Sequence, residues 1–349
     1  MAKIKIAING FGRIGRSFFR VAYSRPELDI VAVNDLGDPH NLAYLLTYDS
    51  AYGKAPFDIK VGSQNNKPVF ILDGKKTILF LDQREPRLLP WKELGVDIVV
   101  ESSGVFDGFE KSKPHLQAGA KRVVITAPVK DEPIGIDGST VLVGVNDERL
   151  KTCDISSNAS CTTNAASPLI AILHEKIGIE KALLNTTHSY TATQSLVDTG
   201  VKDHDYRRGR AAAQNIIPSH TGAAIAVTKA FPALEGLFDG IAIRVPTITG
   251  SITDVTFIAK RDVTAEEVNA ILKEAATKER WKTVFSVTEE PIVSSDIIGS
   301  KYASIADLSF TRVVGGNLVK VLAWYDNEMG YTYSLVEHVV KSGEYLHGQ

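Results

Sequence analysis

The feature that most constrains this 349-residue sequence is a glycine-rich turn close to its first residue. Residues 4–8 have the β-branched, alternating character of a strand, and apolar residues recur at helical spacing after the turn. Gly10, Gly12 and Gly15 stand between them in the G-x-G-x-x-G pattern. In that setting the glycines permit a tight turn and a close approach of backbone amides to a pyrophosphate. The turn predicts a dinucleotide-binding sheet, although a glycine triplet alone would indicate only a turn.

An acidic residue completes this pattern. Asp35 stands twenty residues after Gly15, just beyond the second β-rich run at residues 30–33. A carboxylate at this position accepts hydrogen bonds from the adenosine ribose and repels a ribose 2′-phosphate. Leu36 and Gly37 follow, so the next two positions offer no Arg or Lys to such a phosphate. The sequence therefore favours NAD over NADP.

Short β-branched runs continue through the first 150 residues of the chain. They occupy residues 69–72, 77–80, 96–100, 122–125 and 140–143. Runs of this kind, separated by helical or loop stretches, predict a mostly parallel sheet that is covered on both faces. From about Ser160 the pattern changes to a buried helix at residues 165–173, a polar excursion at 189–221, a second helix at 265–278, and longer strands at 182–187, 240–245, 254–260 and 319–324.

These patterns predict an α/β protein of two domains, as its length also suggests. We expect a Rossmann-type, doubly wound parallel sheet over residues 1–159 that binds NAD. An α+β catalytic domain with a mixed or antiparallel sheet is expected over residues 160–327. A last helix, within residues 328–349, could pack back on the first domain.

Composition and charge exclude several classes of protein. The net charge of −2 provides no basic surface for nucleic acid or for an anionic membrane. No uninterrupted apolar run approaches 18 residues, and the first residues leave no space for the apolar core of a signal peptide. The two cysteines cannot form a disulfide framework for so long a chain. We therefore expect a reducing, cytoplasmic location.

Cys161 is a candidate nucleophile. Ser and Thr stand on both sides of it, within residues 156–164, and the predicted helix at 165–173 follows. The positive end of a helix and its amides favour a thiolate and can hold an oxyanion, so we expect an accessible thiol with a lowered pKa. An isolated cysteine is more often a small core residue, but a core cysteine does not need this polar surrounding. Cys153 lacks such a setting and is expected to be inert.

A base is needed beside such a thiol, and eight histidines compete for the role. His188 follows the strand predicted at residues 182–187 and opens the polar excursion, a position where two-domain enzymes place catalytic groups. His220 remains a competitor. No Cys or His pair has the spacing of metal ligands, so no metal is expected. The other histidines stand in contexts that predict solvated faces or helices, and they are His40, His115, His174, His204, His338 and His347.

Seven segments give the sequence a resemblance to a known family. They are residues 9–15, 101–106, 157–164, 188–194, 221–224, 244–247 and 324–328. In collinear order over essentially the whole chain, these segments closely resemble the phosphorylating glyceraldehyde-3-phosphate dehydrogenases. The motifs are specific to that family and to its erythrose-4-phosphate sister. One departure is Ala165, because the family often has a second cysteine at this position.

The resemblance implies a mechanism. Cys161 would attack the aldehyde of glyceraldehyde 3-phosphate, and His188 would assist that attack and then remove the hydroxyl proton as hydride leaves for NAD. Inorganic phosphate would cleave the resulting thioester to give 1,3-bisphosphoglycerate. By the same match, Thr191 and Arg244 would hold the phosphate of the substrate. The residues that would line the pocket for the attacking phosphate are Ser160, Thr162, Thr221 and Gly222.

The resemblance extends to the cofactor and to the assembly. Besides Gly10, Gly12 and Gly15, it implies that NAD contacts Arg13, Ile14, Asp35, Arg84, Thr126 and Asn327. The last of these would orient the nicotinamide amide. The family is usually a homotetramer, in which the polar loop after the catalytic histidine reaches the cofactor site of a neighbouring subunit.

Three alternatives remain open from the sequence. Arg244, on an alternating strand, could simply present its charge to solvent. The aldehyde could be erythrose 4-phosphate, although Thr191 and the Thr221-Gly222 pair favour the triose. The chain could also be a non-catalytic dinucleotide-binding protein, such as a redox sensor.

Overall fold

The computed structural model describes residues 3–201 and 205–348, so the prediction for His204 lies outside the described residues. The described residues form two compact units. The first lies within Met1–Val141, Asp147–Ala159 and Leu335–Gln349, and the second lies within Leu142–Asn146 and Ser160–Ser334.

The first unit contains a large sheet and a small two-stranded one. Its strands are β1 (Ile4–Asn9), β2 (Leu28–Asn34), β3 (Tyr48–Asp49), β4 (Gly53–Lys54), β5 (Ile59–Gln64), β6 (Lys67–Leu72), β7 (Lys76–Leu81), β8 (Ile98–Glu101), β9 (Arg122–Ile125), β10 (Gly138–Thr140) and β11 (Ile155–Ser157). Its helices are α1 (Arg13–Ala22), α2 (Pro39–Thr47), α3 (Trp91–Leu94) and α4 (Phe109–Gln117), with short 3-10 helices at Pro86–Leu88 and Asp147–Lys151.

The large sheet of this unit is mostly parallel. Among the described residues its order is β10-β11-β9-β8-β1-β2-β7-β6-β5, and every pairing from β10 to β7 is parallel. β6 and β5 are added antiparallel. Every residue of β8 and β9 is buried, which is why these strands appear in the sequence as uninterrupted β-branched runs. The predicted Rossmann-type sheet is confirmed.

One predicted strand of the first sheet is wrong. The apolar run at residues 140–143 predicted a strand, but β10 ends at Thr140. Val141 is buried because it packs in a small cluster with Leu150 and Cys153. Val143 is buried because it belongs to the core of the second unit. An apolar run of this length indicates burial rather than strand geometry.

The second unit contains a mixed sheet. Its strands are β12 (Ile179–Ser189), β13 (Ile217–His220), β14 (Phe238–Val245), β15 (Ser251–Ala259), β16 (Phe285–Thr288), β17 (Ser304–Val314) and β18 (Leu318–Tyr325), in the order β13-β14-β12-β15-β18-β17-β16. Its helices are α5 (Cys161–Ile177), α6 (Ala223–Ala230) and α7 (Ala265–Ala276), with 3-10 helices at Tyr206–Gly209 and Pro232–Leu234. The last helix, α8 (Met329–Leu346), begins in this unit and ends in the first.

Helix α5 is the central helix of the second unit. Leu169, Ile170 and Leu173 are almost fully buried, in one core with Phe257 and Val319 of the sheet. β12 is parallel to β14 and antiparallel to β15, so the predicted mixed sheet is confirmed. The helix predicted at residues 165–173 begins earlier than expected, at Cys161.

Two histidines expected on solvated faces or helices are helical but fully buried. His115 lies in α4, and its Nδ1 accepts a hydrogen bond from the Trp91 indole at 3.0 Å. His338 lies in α8, with its Nε2 2.7 Å from the Ser156 hydroxyl and its Nδ1 3.2 Å from the Asn158 carboxamide oxygen. Each side chain has partners from distant segments of the first unit. A local sequence pattern does not report such partners.

We expect His338 to make the free energy of unfolding depend on pH. Burial lowers the pKa of His338 to about 3, against about 6.5 in an unfolded chain. Between these values the unfolded chain binds a proton that the folded protein does not. His338 should therefore contribute a decrease of about 1.4 kcal/mol in the free energy of unfolding for each pH unit below 6.5, and its contribution should stay constant above that pH.

Urea unfolding of two variants checks this expectation. His338→Gln should give a shallower dependence of the free energy of unfolding on pH between 6.5 and 4.5 than the wild type. The matched control is His40→Gln, because His40 is an exposed histidine of the same unit. Its dependence should be that of the wild type, and equal slopes for the two variants would contradict the assignment to His338.

Candidate active site

The turn between β1 and α1 contains two glycines that the packing of the chain itself requires. Gly10 has a φ of 90°, and a Cβ built on it would lie 2.3 Å from the Ser103 backbone nitrogen. A Cβ on Gly15 would lie 2.1 Å from the carbonyl oxygen of Gly10. Nothing lies within 4 Å of a Cβ built on Gly12. This second glycine faces open space, as close approach of a bound pyrophosphate would need.

The groups around this turn suit an anion and a ribose. α1 begins directly after Gly12, which has no side chain to cap it, and the amides and dipole of a helix N-terminus favour a negative charge. Asp35 supports the turn from the end of β2. Its Oδ2 accepts a hydrogen bond from the Phe11 amide at 2.6 Å, and its Oδ1 accepts one from the Gly37 amide at 2.8 Å.

A cavity of about 310 Å³ adjoins the turn. The predicted cofactor residues Gly10, Gly12, Asp35 and Arg84 line it. The other lining residues are Asn9, Asn34, Leu36, Gln83, Ser102, Ser103, Val105 and Phe106. The residues of this unit thus fit a dinucleotide, because glycines, helix amides and a carboxylate meet at one cavity.

Four other predicted cofactor residues of this unit are absent from that lining, as far as the described residues extend. They are Arg13, Ile14, Gly15 and Thr126. The Arg13 guanidinium pairs with Asp49 and lies 5.3 Å from the centre of the Tyr52 ring. The Thr126 amide donates to the carbonyl oxygen of Glu101 at 3.0 Å. The Arg13 side chain is therefore held by a carboxylate of the chain itself.

A buried hydrogen-bond network beside the turn was not among the features predicted from the sequence. Glu101 accepts hydrogen bonds from the Ser103 amide at 2.8 Å, from the Asn9 carboxamide at 2.5 Å and from His115 Nε2 at 3.0 Å. Because the Trp91 indole can only donate to Nδ1 of His115, the ring proton is on Nε2. The network thereby holds two residues that line the cavity. A charged residue at the end of an apolar strand was the available signal.

In the second unit, folding brings a thiol and an imidazole together. Cys161 is the first residue of α5, and Ser160 caps this helix by accepting a hydrogen bond from the Thr163 amide at 3.2 Å. His188 stands near the end of β12, and its Nε2 lies 3.3 Å from the Cys161 Sγ. Arg244 is the partner of His188 in the parallel pairing of β12 with β14.

The second ring nitrogen of His188 defines its tautomer. His188 Nδ1 lies 2.6 Å from the Ser189 carbonyl oxygen, and Arg244 Nη1 lies 2.7 Å from Nδ1 and 3.1 Å from the same carbonyl oxygen. A carbonyl only accepts hydrogen bonds and a guanidinium only donates them. With the proton on Nδ1, the carbonyl oxygen accepts from Nδ1–H and from Arg244, and the 2.7 Å approach of Nη1 to Nδ1 is a contact between two donors rather than a hydrogen bond. Nε2 is then unprotonated and faces the thiol, as a general base requires.

Burial and Arg244 act on both members of this pair. Burial and, to a smaller extent, the Arg244 charge lower the pKa of His188 to about 3. Burial raises the pKa of Cys161, and Arg244 and the amides at the start of α5 oppose this only in part. The expectation of a lowered thiol pKa is therefore wrong, because removing the thiolate from water outweighs the nearby positive charge. At neutral pH both groups are uncharged.

The structure brings some of the predicted phosphate-binding residues to the pair. Ser160 and Thr162 flank Cys161, although the Thr162 hydroxyl lies inward, 2.9 Å from the Tyr325 hydroxyl. Arg244 is half-buried, and through its contacts with His188 and Ser189 it does more than present a charge to solvent.

For the remaining predicted phosphate-binding residues, the hydrogen bonds are local within the described chain. The Thr191 hydroxyl lies 3.0 Å from the Thr193 hydroxyl. The Thr221 hydroxyl accepts a hydrogen bond from the Ala223 amide at 3.2 Å. Gly222 is exposed at the start of α6. These contacts do not by themselves connect the three residues to Cys161.

Asn327 has a defined carboxamide orientation. Its Oδ1 accepts hydrogen bonds from the Gly250 amide at 3.1 Å and the Ser251 hydroxyl at 3.0 Å. The Thr249 hydroxyl lies 3.3 Å from the same oxygen and donates to the Asp326 Oδ1 at 2.9 Å. An amide N–H can only donate, so the atom beside Gly250 is the oxygen. This leaves Nδ2 as the donor that Asn327 can offer to a ligand.

Tyr325 is a further residue beside the pair that sequence analysis did not assign. Its hydroxyl lies 2.9 Å from the Thr162 hydroxyl and 2.7 Å from the Thr186 hydroxyl, and its ring meets the His188 ring edge to face at 5.9 Å. Burial raises its pKa. Its position within the segment 324–328 was the only signal available.

Two features are absent from the residues that the structure describes. Over residues 3–201 and 205–348, no group of three or more His, Cys, Asp or Glu residues is arranged to hold a metal ion. Over the same residues, no helix combines the length and the apolar character needed to cross a membrane.

A nucleotide-binding sheet with this glycine turn, together with a thiol beside an unprotonated imidazole, defines the class of dinucleotide-dependent dehydrogenases with a reactive cysteine. Two family models match the chain. The model of the glyceraldehyde 3-phosphate dehydrogenase NAD binding domain matches residues 4–108, and that of the C-terminal domain matches residues 160–327. The chain belongs to the glyceraldehyde-3-phosphate dehydrogenase family, and it is an enzyme whose cofactor is NAD.

Curated relatives are similar over almost the whole chain. A glyceraldehyde-3-phosphate dehydrogenase of Thermotoga maritima is 51% identical over 336 residues, which cover 95% of this chain and 97% of the relative. One of Geobacillus stearothermophilus is 46% identical and covers 96% of each chain. Glyceraldehyde-3-phosphate dehydrogenase 1 of Bacillus subtilis is 46% identical and covers 97% of this chain and 99% of its own. The resemblance inferred from the motifs is confirmed.

Proposed function

We propose that this enzyme oxidises glyceraldehyde 3-phosphate with NAD and inorganic phosphate to 1,3-bisphosphoglycerate, through a thioester on Cys161. The observation that carries the proposal is the 3.3 Å contact between the Cys161 Sγ and the Nε2 of His188. The names of the relatives indicate the aldehyde. A thiol activated by an adjacent base indicates the covalent route.

The first step forms a carbon–sulfur bond. His188 Nε2 takes the thiol proton as Sγ adds to the aldehyde carbon, so the raised pKa of Cys161 does not prevent attack. The carbonyl electron pair moves to the oxygen, which takes the proton from the imidazolium to give a hemithioacetal. Amides at the start of α5 provide partial positive charge for this oxygen while it is negative.

The second step oxidises the hemithioacetal to a thioester. Bound NAD supplies the acceptor for the hydride that leaves the substrate carbon. His188 removes the hydroxyl proton at the same time, and the carbon–oxygen bond becomes a carbonyl. Inorganic phosphate then attacks the thioester carbon and the carbon–sulfur bond breaks. The departing sulfur takes the proton held by His188, and the proton of the phosphate passes to solvent.

The groups proposed for the two phosphates need no metal. Arg244 and Thr191 would hold the phosphate of the substrate, since a half-buried guanidinium offers several fixed donors to a phosphate. The attacking phosphate would contact four residues. For one of them, Thr162, the backbone amide is the available group, because its hydroxyl is bonded to Tyr325. The four are Ser160, Thr162, Thr221 and Gly222.

The cofactor contacts proposed for the chain follow the turn and the cavity. Asp35 would bind the adenosine ribose, and Asn327 would donate from Nδ2 to the nicotinamide carboxamide. Arg13 would contribute its backbone rather than its guanidinium, which Asp49 holds. The full set is Gly10, Gly12, Arg13, Ile14, Gly15, Asp35, Arg84, Thr126 and Asn327.

We further propose that residues 1–159 and 160–327 are the NAD-binding and catalytic domains, and that the C-terminal helix returns to the first of them. Support comes from Arg122, whose guanidinium donates to the carbonyl oxygen of Ser342 in α8 at 2.7 Å. Residues 142–146 instead cluster with the second unit. The two free cysteines suit a reducing compartment, so we place the enzyme in the cytoplasm.

A homotetramer is the assembly that we propose. In the second unit, Leu183 of β12 and Ile241 of β14 are 66% and 54% exposed, although they lie on adjacent strands of a sheet. Exposed apolar side chains grouped on a sheet face indicate an interface. Light scattering of the purified enzyme should give a mass near four times 37.9 kDa.

One assay tests the proposed reaction. Purified enzyme should form NADH from glyceraldehyde 3-phosphate and NAD, and sustained turnover should require inorganic phosphate. Erythrose 4-phosphate, used in parallel, should give a much lower kcat/KM. Sustained NADH formation without phosphate would contradict the thioester route, and a preference for the tetrose would contradict the substrate.

Asp35 provides a prediction about cofactor selectivity. Asp35→Ala should weaken NAD binding by about 10- to 100-fold, because it removes charge-assisted hydrogen bonds to the ribose and to the turn. NADP binding should weaken less or improve, because the charge that repels its 2′-phosphate is gone. Calorimetry with both nucleotides measures the two dissociation constants.

Asp35→Asn is the matched control for this prediction. It removes the charge and keeps one acceptor oxygen, although its NH2 group would face one of the two backbone amides that Asp35 accepts from. Its ratio of NADP to NAD affinity should therefore also rise, with a smaller loss of NAD binding than in Asp35→Ala. An unchanged ratio in both variants would show that other groups hold the ribose.

A further inference from the structure

A buried serine connects the two halves of the catalytic apparatus in the second unit. Ser251, the first residue of β15, is 1% exposed. Its hydroxyl accepts a hydrogen bond from the Ser189 amide at 3.1 Å and donates one to the Asn327 Oδ1 at 3.0 Å. The hydroxyl thus joins the peptide after His188 to the carboxamide of Asn327.

On one side, this contact holds the peptide that follows the catalytic imidazole. Ser189 also donates from its hydroxyl to the Gly250 carbonyl oxygen at 3.1 Å and lies 2.9 Å from the Thr247 hydroxyl. The carbonyl oxygen of Ser189 lies 2.6 Å from His188 Nδ1 and, in the tautomer assigned above, accepts a hydrogen bond from it. A shift of Ser189 would therefore change the direction of Nε2 toward the thiol.

On the other side, the contact sets the direction of the Asn327 carboxamide. The Gly250 amide can only donate, so the Asn327 atom that it faces is the oxygen Oδ1. The Ser251 hydroxyl contacts the same oxygen, and it must therefore donate its single proton to Oδ1. The Ser189 amide, which can only donate, occupies a lone pair of the hydroxyl. The hydrogen bonds of Ser251 therefore have one consistent direction, from Ser189 to Asn327.

We propose that Ser251 is a positioning residue that couples the orientation of the Asn327 carboxamide to the geometry of the Cys161–His188 pair. The inference rests on the proposed function, in which Asn327 contacts the nicotinamide. Loss of the hydroxyl would leave the buried Ser189 amide without an acceptor and remove a donor from the Asn327 Oδ1. The peptide after His188 and the Asn327 carboxamide would therefore loosen together.

Two measurements report separately on the Cys161–His188 pair and on the Asn327 carboxamide. Alkylation of Cys161 by iodoacetamide in enzyme free of NAD reports on the thiol and the imidazole alone. The deuterium isotope effect on NADH formation, with substrate deuterated at the aldehyde carbon, reports on hydride transfer. Ser251→Ala should slow alkylation at pH 7 by about 3- to 10-fold, lower kcat by about 10-fold or more, and increase the isotope effect.

Asn327→Ala is the matched comparison. It should lower kcat and increase the isotope effect but leave the alkylation rate unchanged. Adding Ser251→Ala to it should cause little further loss in kcat and should still slow alkylation. Ser251→Thr, which keeps the hydroxyl, should restore both readouts toward wild type. If Ser251→Ala does not fold, Ser251→Cys, with a weaker donor in the same place, should give smaller losses in both readouts.

Some outcomes would overturn the coupling. These are an alkylation rate unaffected by Ser251→Ala or by Ser251→Cys, or losses in kcat that multiply independently in the double variant. Failure of the proposed function would show differently, as an absence of phosphate-dependent NADH formation by the wild-type enzyme itself.

Discussion

Cys161→Ser is expected to lower the rate of phosphate-dependent NADH formation by at least about 10⁴-fold and to leave NAD binding within twofold of wild type. A serine hydroxyl is a far weaker nucleophile at neutral pH, and His188 would have to remove a much less acidic proton. An ester formed on serine would also be less activated toward phosphate than a thioester. The glycine turn and its cavity belong to the first unit, so the substitution leaves their residues unchanged.

Cys153→Ser is the control for this experiment. Cys153 is 2% exposed and packs with Val141 and Leu150, and burial raises its pKa to about 11. Its replacement should leave kcat within a few-fold of wild type and affect mainly stability, because a hydroxyl is introduced into an apolar cluster. Undiminished turnover in Cys161→Ser, or loss of turnover only in Cys153→Ser, would contradict the assignment of the nucleophile.

The nucleotide-binding half of the site was accessible from sequence because its signals are local. The spacing of Gly10, Gly12 and Gly15 determines a turn within six residues. In the structure, backbone atoms lie so close to Gly10 and to Gly15 that neither position has space for a side chain. The character of the two sheets was predictable for a similar reason. Strands buried on both faces need continuous apolar residues, whereas strands with one exposed face alternate, as β15 does.

The catalytic pair was predictable only in part. Residue types and sequence context indicated Cys161, but position alone could not choose His188 over His220. The 3.3 Å contact joins the start of α5 to the end of β12, which are 27 residues apart, and it depends on how the helix packs. The resemblance of the motifs to a known family, rather than the spacing of residues, singled out His188.

What the sequence did not predict shares a physical cause, which is burial by distant segments. A polar context predicted a lowered thiol pKa, whereas burial raises the pKa of Cys161 even though its side chain is only partly buried. His115 and His338 are fully buried because Trp91 and Ser156 reach them from other parts of the first unit. The network around Ser251 was missed because a buried serine has no signature in a single sequence.

His188→Asn is expected to lower kcat/KM by about 10²- to 10⁴-fold, because the thiol loses the base that removes its proton. The effect should depend on pH. Since burial raises the pKa of Cys161, the wild-type thiol is uncharged at pH 7 and needs His188, whereas at high pH the thiol ionises without help. Rates of iodoacetamide alkylation of wild type and variant should therefore differ most near pH 7 and approach each other as the pH rises.

The alkylation rate of the wild-type enzyme below pH 7 is the sharper test of the role of His188. Because the pKa of His188 is lowered to about 3, its imidazole stays an uncharged base from pH 9 down to pH 4, and it is lost as a base only as the pH falls toward 3. The alkylation rate of the wild-type enzyme, plotted against pH, should accordingly show no step near pH 6.5. His220→Asn is the control, because His220 is exposed, and its profile should match wild type. A step near pH 6.5 that disappears in His188→Asn would show that the imidazole titrates as a solvated one. The uncharged Cys161–His188 pair would then not be the form that attacks the aldehyde.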